Sequence, residues 1–419
     1  MSHVGIICPN APGHLNPMIA LADALRARGH RVTFFLLGDP PPLVTAAGFQ
    51  IVLLGGSIFP SDQYQAGLQQ LGSLQGRAAL KHTFAMGARA AEAILEVGPT
   101  AARAAGITAL LVDQASFPGG TVADEVGIPF ATVCNALLLH SEPVVPPFFT
   151  HWQPQDSWLA RTRHRIAWAG LNRLYAPILT KIQDRRRRLG LPIPTQIAAA
   201  WSHRIQTSQQ PETFDFPRRE LPQHVRFVGP LRLPAGYPAV PFPWERLDGR
   251  PLIYASLGTL QNRVAGTFRV IAEACDGLDA QLVISTGHGI APEALGALPG
   301  CPIVVPYAPQ LDLLRRSAIA VTHAGLNTVL DALSTGVPMV AIPITNEQPG
   351  VAARIAWVGA GEAITHKSVT VEALRRAVML VLSNPSYRAA AERIRDSIQA
   401  GGGAPRAAEL IEQSLELTA

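Results

Sequence analysis

Aromatic and charged side chains are both scarce in this chain of 419 residues, at 6% and 16%. The charged fraction lies below the ~25% usual for soluble domains. Together with a 48% hydrophobic content it excludes disorder as the main state. Cysteine is rare: Cys8, Cys134, Cys275 and Cys301 form no C-x-x-C, so reduced thiols are expected rather than a metal knot or a disulfide frame. No stretch reaches the ~18 consecutive apolar residues of a membrane span. The N-terminus lacks a basic region and its apolar run stops at Pro9, so no signal peptide is expected. Gly and Pro, at 36 each, show no period, which excludes collagen-like chains. Lys+Arg 35 against Asp+Glu 30 gives +5, too small an excess to announce a nucleic-acid binder. What remains is a core-rich cytoplasmic globule of two to three domains, with contact at a membrane surface left open. Its oligomeric state leaves no mark in the sequence.

An apolar run at residues 4–8 leads into a Pro- and Gly-containing loop (9–17), a helix (18–28) and a β-branched run at 32–37. Strand, loop, helix and strand in about 30 residues make a βαβ unit. Residues 109–112, 123–126 and 130–133 repeat the rhythm, which points to α/β architecture with parallel sheets. From 139 to 200 the rhythm breaks. Pro143, Pro146, Pro147, Phe148, Phe149, Trp152 and Trp158 precede a helix-like stretch carrying Arg161, Arg163, Arg165, Arg173, Lys181 and Arg185 to Arg188. That stretch reads either as a solvated face or as a mobile insertion that shapes a cleft and rests on anionic lipid. A first domain over 1–228 is expected, then a linker at 229–248 punctuated by Pro230, Pro234, Pro238, Pro241 and Pro243. A second βα series follows, with strands at 252–256, 281–285, 303–305, 319–322 and 339–342, in a domain ending near 400. Residues 401–419 read as a terminal helix that could return to the first domain.

The densest chemistry lies between Tyr307 and Gln348. A strand ends at Thr322, and His323-Ala324-Gly325-Leu326-Asn327-Thr328 leads into a helix at 329–334. A Gly turn feeding a helix N-terminus presents unpaired amides and the positive dipole end to an anion. The alternative is that Asn327 caps the helix. Thr345-Asn346-Glu347-Gln348 follows the next strand, where a carboxylate beside a carboxamide can hold several sugar hydroxyls. Tyr307-Ala308-Pro309-Gln310 offers an aromatic face for a base. In this order they outline a nucleotide-sugar site.

These motifs, with Asp331, Gly336-Val337-Pro338 and Pro343-x-x-x-Glu347-Gln348, closely resemble the signature of the UDP-glycosyltransferases. Gly13-His14-x-Asn16-Pro17 and Ser256-Leu257-Gly258-Thr259 also match, so the resemblance spans nearly the whole chain. It implies the GT-B fold, two Rossmann-like parallel-sheet domains facing across a cleft, and a UDP-sugar as co-substrate with no separate cofactor. It further implies that Tyr307 stacks on uracil with Ala308 beside it, Gln310 approaches the ribose and Asp331 binds ribose hydroxyls. Ser256, Thr259, His323, Gly325, Asn327 and Thr328 would hold the diphosphate, and Glu347 and Gln348 the sugar. Tyr307, Asp331 and Glu347 stand where relatives carry Trp, Glu and Asp, so the donor sugar is not fixed by the motif.

In the first half, the loop after the first strand lacks the G-x-G-x-x-G of dinucleotide binders. That absence argues against a nicotinamide-dependent oxidoreductase. The loop instead places His14 at a strand's carboxyl end, where a neutral imidazole can take a proton near its ordinary pKa of ~6.5. Such a base gains from a carboxylate that fixes its tautomer. Asp113 is the candidate, with a helix cap or loop hydrogen bond as its other reading. Deprotonation of an acceptor hydroxyl by His14 and in-line attack would invert the anomeric carbon. No Asp-x-Asp motif appears, so no metal is expected. Residues 135–137 and 142–150, with Phe214-Asp215-Phe216-Pro217, resemble carotenoid (zeaxanthin) glucosyltransferases. This resemblance implies an apolar hydroxylated acceptor near Asn135, Phe148 and Phe149, bounded by loops at 58–84 and 139–158. Macrolide, sterol and phenolic acceptors stay open, as do an epimerase on the same fold and a non-catalytic sugar-nucleotide binder.

Overall fold

The computed structural model describes residues 1–74, 76–233, 240–258, 265–287 and 290–418. Its first half builds from β1 (His3–Ile7), α1 (Pro12–Ala27), β2 (Arg31–Leu36), α2 (Pro42–Ala46) and β3 (Gln50–Leu53). The long helices α3 (Ser61–Ser73) and α4 (Gly76–Ala104) come next, then β4 (Ala109–Asp113), α5 (Gly119–Val126) and β5 (Phe130–Cys134). After α6 (Trp158–Arg188), the short β6 (Gln206–Ser208) and β7 (Val225–Phe227) finish the sheet.

The second half comprises β8 (Leu252–Ser256), α7 (Ala265–Cys275), β9 (Gln281–Ser285), β10 (Ile303–Val305), α8 (Gln310–Leu314) and β11 (Ser317–Thr322). It continues with α9 (Leu326–Ser334), β12 (Met339–Ala341), α10 (Gln348–Trp357) and β13 (Gly361–Ala363). The helices α11 (Val371–Ser383), α12 (Pro385–Gly401) and α13 (Gly403–Leu415) close the chain.

Each half holds one all-parallel sheet, ordered β3-β2-β1-β4-β5-β6-β7 and β10-β9-β8-β11-β12-β13. Strands such as β1, β4 and β8 are buried along their whole length, as expected when helices cover both faces. Strand order reverses between β1 and β4 in one sheet and between β8 and β11 in the other. At such switch points the loops beyond the strand ends diverge and leave a crevice. His14 follows β1 and Asp113 ends β4, while Ser256 ends β8 and His323 follows β11. All four therefore sit where the topology opens space.

Several sequence expectations change. The loop expected through Pro17 is helical from Pro12, which puts His14 in the first turn of α1. Proline suits a helix N1 because its missing N–H is unneeded there and its φ is preset. Where loops were expected at 58–84, residues 61–73 and 76–84 are helical, in α3 and the start of α4. The helix-like stretch after Trp158 is the helix α6. The inner face of α6 buries Trp168, Leu171, Tyr175, Ile178 and Ile182. At its end Arg185 and Arg186 are paired and largely buried, while Arg187 and Arg188 stay solvated. Arg185 meets Glu125 at 2.6 Å, and Arg186 meets Asp124 at 2.6 Å. The final helix α13 lies on α1, burying Ala407, Ala408 and Ile411 in the first domain's core. Both chain crossings between domains run side by side, joined by Gly403 N–H donating to Val228 O at 2.7 Å.

Candidate active site

A cleft of about 1140 Å³ lies between the two domains. From the first domain His14, Asn135 and Phe148 line it. From the second come Ser256, Tyr307, Ala308, Gln310, His323, Gly325, Asn327, Thr328, Asp331, Glu347 and Gln348. Thr259 lies outside the described residues. Phe149 does not line the cleft. It follows Phe148 directly, meets its ring edge-on at 5.6 Å, and packs into the α4–α6 core instead.

The first turn of α1 carries His14 to the end of β4, where its Nδ1 lies 2.8 Å from Asp113 Oδ2. Asp113 is fully buried, and two further donors fix its carboxylate. Asn135 Nδ2 donates to Oδ2 at 2.8 Å and Ala115 N–H donates to Oδ1 at 2.8 Å. Asp113 therefore holds the imidazole and also makes the loop hydrogen bond of its other reading, while it caps no helix. A carboxylate on Nδ1 places the proton there and leaves Nε2 as the proton acceptor. Burial disfavours the imidazolium, but the Asp113 carboxylate, with Glu347 adding to it, holds the His14 pKa above its ordinary value.

The second domain's side of the cleft is built around α9. Gly325 is its N-cap and supplies no side chain, so the amides of the first turn point into the cleft without a side-chain cap. The helix starts at Leu326, earlier than expected, so Asn327 and Thr328 are in its first turn and Asn327 is not the cap. The His323 ring is wedged between Gly258 and Gly325, where a Cβ would approach it to 2.6 and 2.4 Å. Only glycine fits on either side. Burial lowers the His323 pKa to about 4, so it is neutral at physiological pH and offers an N–H rather than a charge. Asn327 departs from its expected place on the diphosphate. Its side chain bridges to the first domain, donating to Gly13 O at 2.9 Å and accepting from Gln209 Nε2 at 2.8 Å.

Tyr307, 42% exposed, flanks the cleft one turn before α8. Gln310 Nε2 donates to Asp331 Oδ2 at 2.6 Å, which brings together the two residues expected at the ribose. Arg232, absent from the sequence reading, reaches from the linker to Asp331 Oδ1 at 2.5 Å. In the loop after β12, Glu347 Oε2 accepts from Leu137 N–H of the first domain at 3.2 Å. Burial raises the Glu347 pKa to about 7. Gln348 Oε1 accepts from Ile344 and Thr345 N–H and shapes the loop. Asn346 lines the cleft beside them, with φ 52 and its buried Oδ1 lacking a hydrogen-bond partner. A buried orphan acceptor in a cleft fits hydroxyl donors from a ligand. Among the described residues no group of three or more His, Cys, Asp or Glu is gathered as a metal centre would need.

Beyond His14 the cleft turns apolar. Leu80, Phe84, Phe117, Tyr175 and Ile178, from α4, α6 and the loop after β4, line this arm with Leu139 and Phe148. Phe84 and Tyr175 meet edge-on at 4.7 Å. Tyr175 and Ile178 were missed because the Arg-rich composition of α6 masks its apolar inner stripe.

The sequence profile described as UDP-glucoronosyl and UDP-glucosyl transferase matches residues 197–397. A zeaxanthin glucosyltransferase of Pantoea ananas is 31% identical, across 99% of this chain and 96% of its own length. Another, from Pseudescherichia vulneris, is also 31% identical, across 99% and 98%. Among solved structures, the glycotransferase of kitacinnamycin superposes with a TM-score of 0.76 at 24% identity, covering 99% of this chain and 98% of that one.

Proposed function

The chain belongs to the UDP-glucoronosyl and UDP-glucosyl transferase family, and on that premise we propose that this glycosyltransferase moves a hexose, glucose first, from UDP to a hydroxyl of an apolar acceptor. A hydroxylated carotenoid such as zeaxanthin is the first acceptor to consider. The observation that carries the reading is the juxtaposition in one cleft of the His14–Asp113 dyad, the uncapped α9 terminus and the apolar α4–α6 arm.

In the proposed reaction the acceptor's chain lies in the apolar arm and its hydroxyl meets His14 Nε2. The base takes the hydroxyl proton as oxygen attacks the anomeric carbon, and Asp113 stabilises the imidazolium that forms. The bond to the diphosphate breaks on the opposite face, which inverts the anomeric centre. Amides of α9, with Ser256, Thr328 and the neutral His323, stabilise charge on the departing UDP. In this role the helix terminus replaces a cation, and no metal or other cofactor takes part. Tyr307 stacks on the base, Gln310 and Asp331 hold the ribose, and Glu347 and Gln348 hold the hexose.

The outer face of α6 suits a membrane-supplied acceptor. Trp158, Leu159 and Ile166 are 74%, 70% and 69% exposed, among arginines and with no acidic residue between 158 and 183. No helix among the described residues is long and apolar enough to cross a membrane, so contact would be peripheral.

Mass spectrometry after incubation with UDP-glucose and a panel of carotenoids, macrolides, sterols and phenolics tests the reading. Hexosylated carotenoid with matching UDP release is the expected result. Product only from another acceptor class overturns the carotenoid assignment, and conversion of donor without acceptor points to an epimerase.

A further inference from the structure

Gln209, just past β6, is buried and joins neither the base nor the donor motif by sequence. Its Nε2 carries two protons and uses both. One goes to the main-chain oxygen of Asn135 at 2.5 Å, the other to Asn327 Oδ1 at 2.8 Å. Asn135 Nδ2 in turn holds Asp113, and Asp113 holds His14. On the other side, Asn327 Nδ2 donates to Gly13 O at 2.9 Å, on the residue bonded to His14. That carbonyl is available because Pro17, four residues on, has no N–H to offer it. The path closes on itself: His14, Asp113, Asn135, Gln209, Asn327, Gly13 and back to His14.

Building on the transferase reading, we infer that Gln209 is a positioning residue whose hydrogen-bonded circuit sets the distance between the His14 base and the α9 leaving-group terminus. The two groups belong to different domains and act on opposite faces of one carbon. A shift of about 1 Å between them costs on the order of a hundredfold in rate. Without Gln209 the first turn of α9 keeps its amides for the diphosphate, but loses one of the two ties that register it against the base.

Gln209→Met preserves side-chain length and removes both donors. The expected result is a fall in kcat of about tenfold, with UDP affinity by calorimetry and KM for UDP-glucose changed by less than about twofold. The acid limb of the pH–rate profile stays in place, because the His14–Asp113 contact is untouched. Amide exchange rises together in peptides covering 13–18 and 325–329. Wild-type kcat, equal losses in kcat and UDP affinity, or faster exchange confined to 206–211 would each overturn the inference. If circular dichroism shows that this variant does not fold, Pro17→Ala decides: it gives Gly13 O an intrahelical partner and trims two methylenes of a buried ring. Its kcat is then expected to fall about threefold with UDP affinity unchanged, and wild-type kcat refutes the circuit. Exchange and UDP binding need no acceptor. A chain that binds UDP and shows the coupled exchange, yet transfers no hexose, refutes the transferase reading and leaves the circuit standing.

Discussion

Replacing Asp113 by Asn tests the dyad at its least replaceable atom. Oδ1 accepts Ala115 N–H, while Oδ2 accepts from both His14 Nδ1 and Asn135 Nδ2. All three partners are donors in the proposed state, so only an ionised carboxylate satisfies them. An asparagine must turn its NH2 toward one of them. If it keeps its oxygen on Ala115, the NH2 donates to His14 Nδ1, moves the imidazole proton to Nε2 and abolishes the base. General-base assistance is worth about 10²–10⁴ in rate, or roughly 3–5 kcal/mol of activation free energy. The fall in kcat should lie in that range, with UDP affinity unchanged because no donor-site group is altered. The pH profile carries a second signature. A base must be neutral, and the Asp113 carboxylate holds the His14 pKa above its ordinary value against burial. Without that charge burial works unopposed at this contact, so the residual activity's acid limb moves to lower pH. Steady-state rates by coupled UDP release, taken across the pH range, check both effects. A variant within about tenfold of wild type, or an acid limb that stays put, would refute the assignment.

Three further outcomes follow from the geometry. Asp215→Asn should destabilise the fold by about 3–5 kcal/mol in urea unfolding, because it leaves the buried Arg354, held on this carboxylate at 2.8 Å, without an ion-pair partner, while Arg218 keeps Glu142 at 3.6 Å. Burial raises the Asp215 pKa, but the two guanidiniums outweigh it and hold it below the usual carboxylate range. The stabilisation is therefore present above that range and lost as pH falls through the depressed value. Phe84→Ala removes an aromatic wall of the apolar arm and should raise acceptor KM about tenfold while donor KM stays put. Joint replacement of Trp158, Leu159 and Ile166 by Ala should abolish co-sedimentation with phosphatidylglycerol vesicles yet leave turnover of a detergent-solubilised acceptor unchanged.

The second domain's strand-end turns were legible because their signals are local. A strand, a Gly turn and a helix start fall within ten residues around His323, and the 307–310 and 345–348 turns follow the strands just before and just after it in the chain. The fold class was legible for the same reason, through βα rhythm. What the sequence hid is mostly non-local. Arg354 and Asp215 are 139 positions apart, yet they meet in the interface where Arg354 also covers the Phe216 ring at 4.1 Å. The Phe214–Pro217 motif could be noticed only as a resemblance, and its job of plugging one domain into the other shows only in three dimensions. Phe148 approaches α10 so closely that a Cβ on Gly350 would lie 2.2 Å from its carbonyl oxygen. No pattern of spacing announces such a contact. Short strands such as β3, β6, β7 and β13, at three or four residues, carry too little alternation to be read. The start of α1 was misplaced because Pro12, Gly13 and Pro17 read as loop formers. Pro17 is tolerated because the carbonyl it leaves unpaired finds Asn327 in the other domain.

The anomeric configuration of the product tests the central claim most directly. With UDP-glucose, whose glucosyl carbon is α-linked, and a hydroxylated carotenoid, proton NMR of the purified glycoside should show the large anomeric coupling of a β-glucoside. That outcome is required if the hydroxyl deprotonated by His14 attacks opposite a diphosphate seated on α9. An α-glucoside would contradict single in-line displacement, and with it the division of labour between the His14–Asp113 dyad and the α9 terminus.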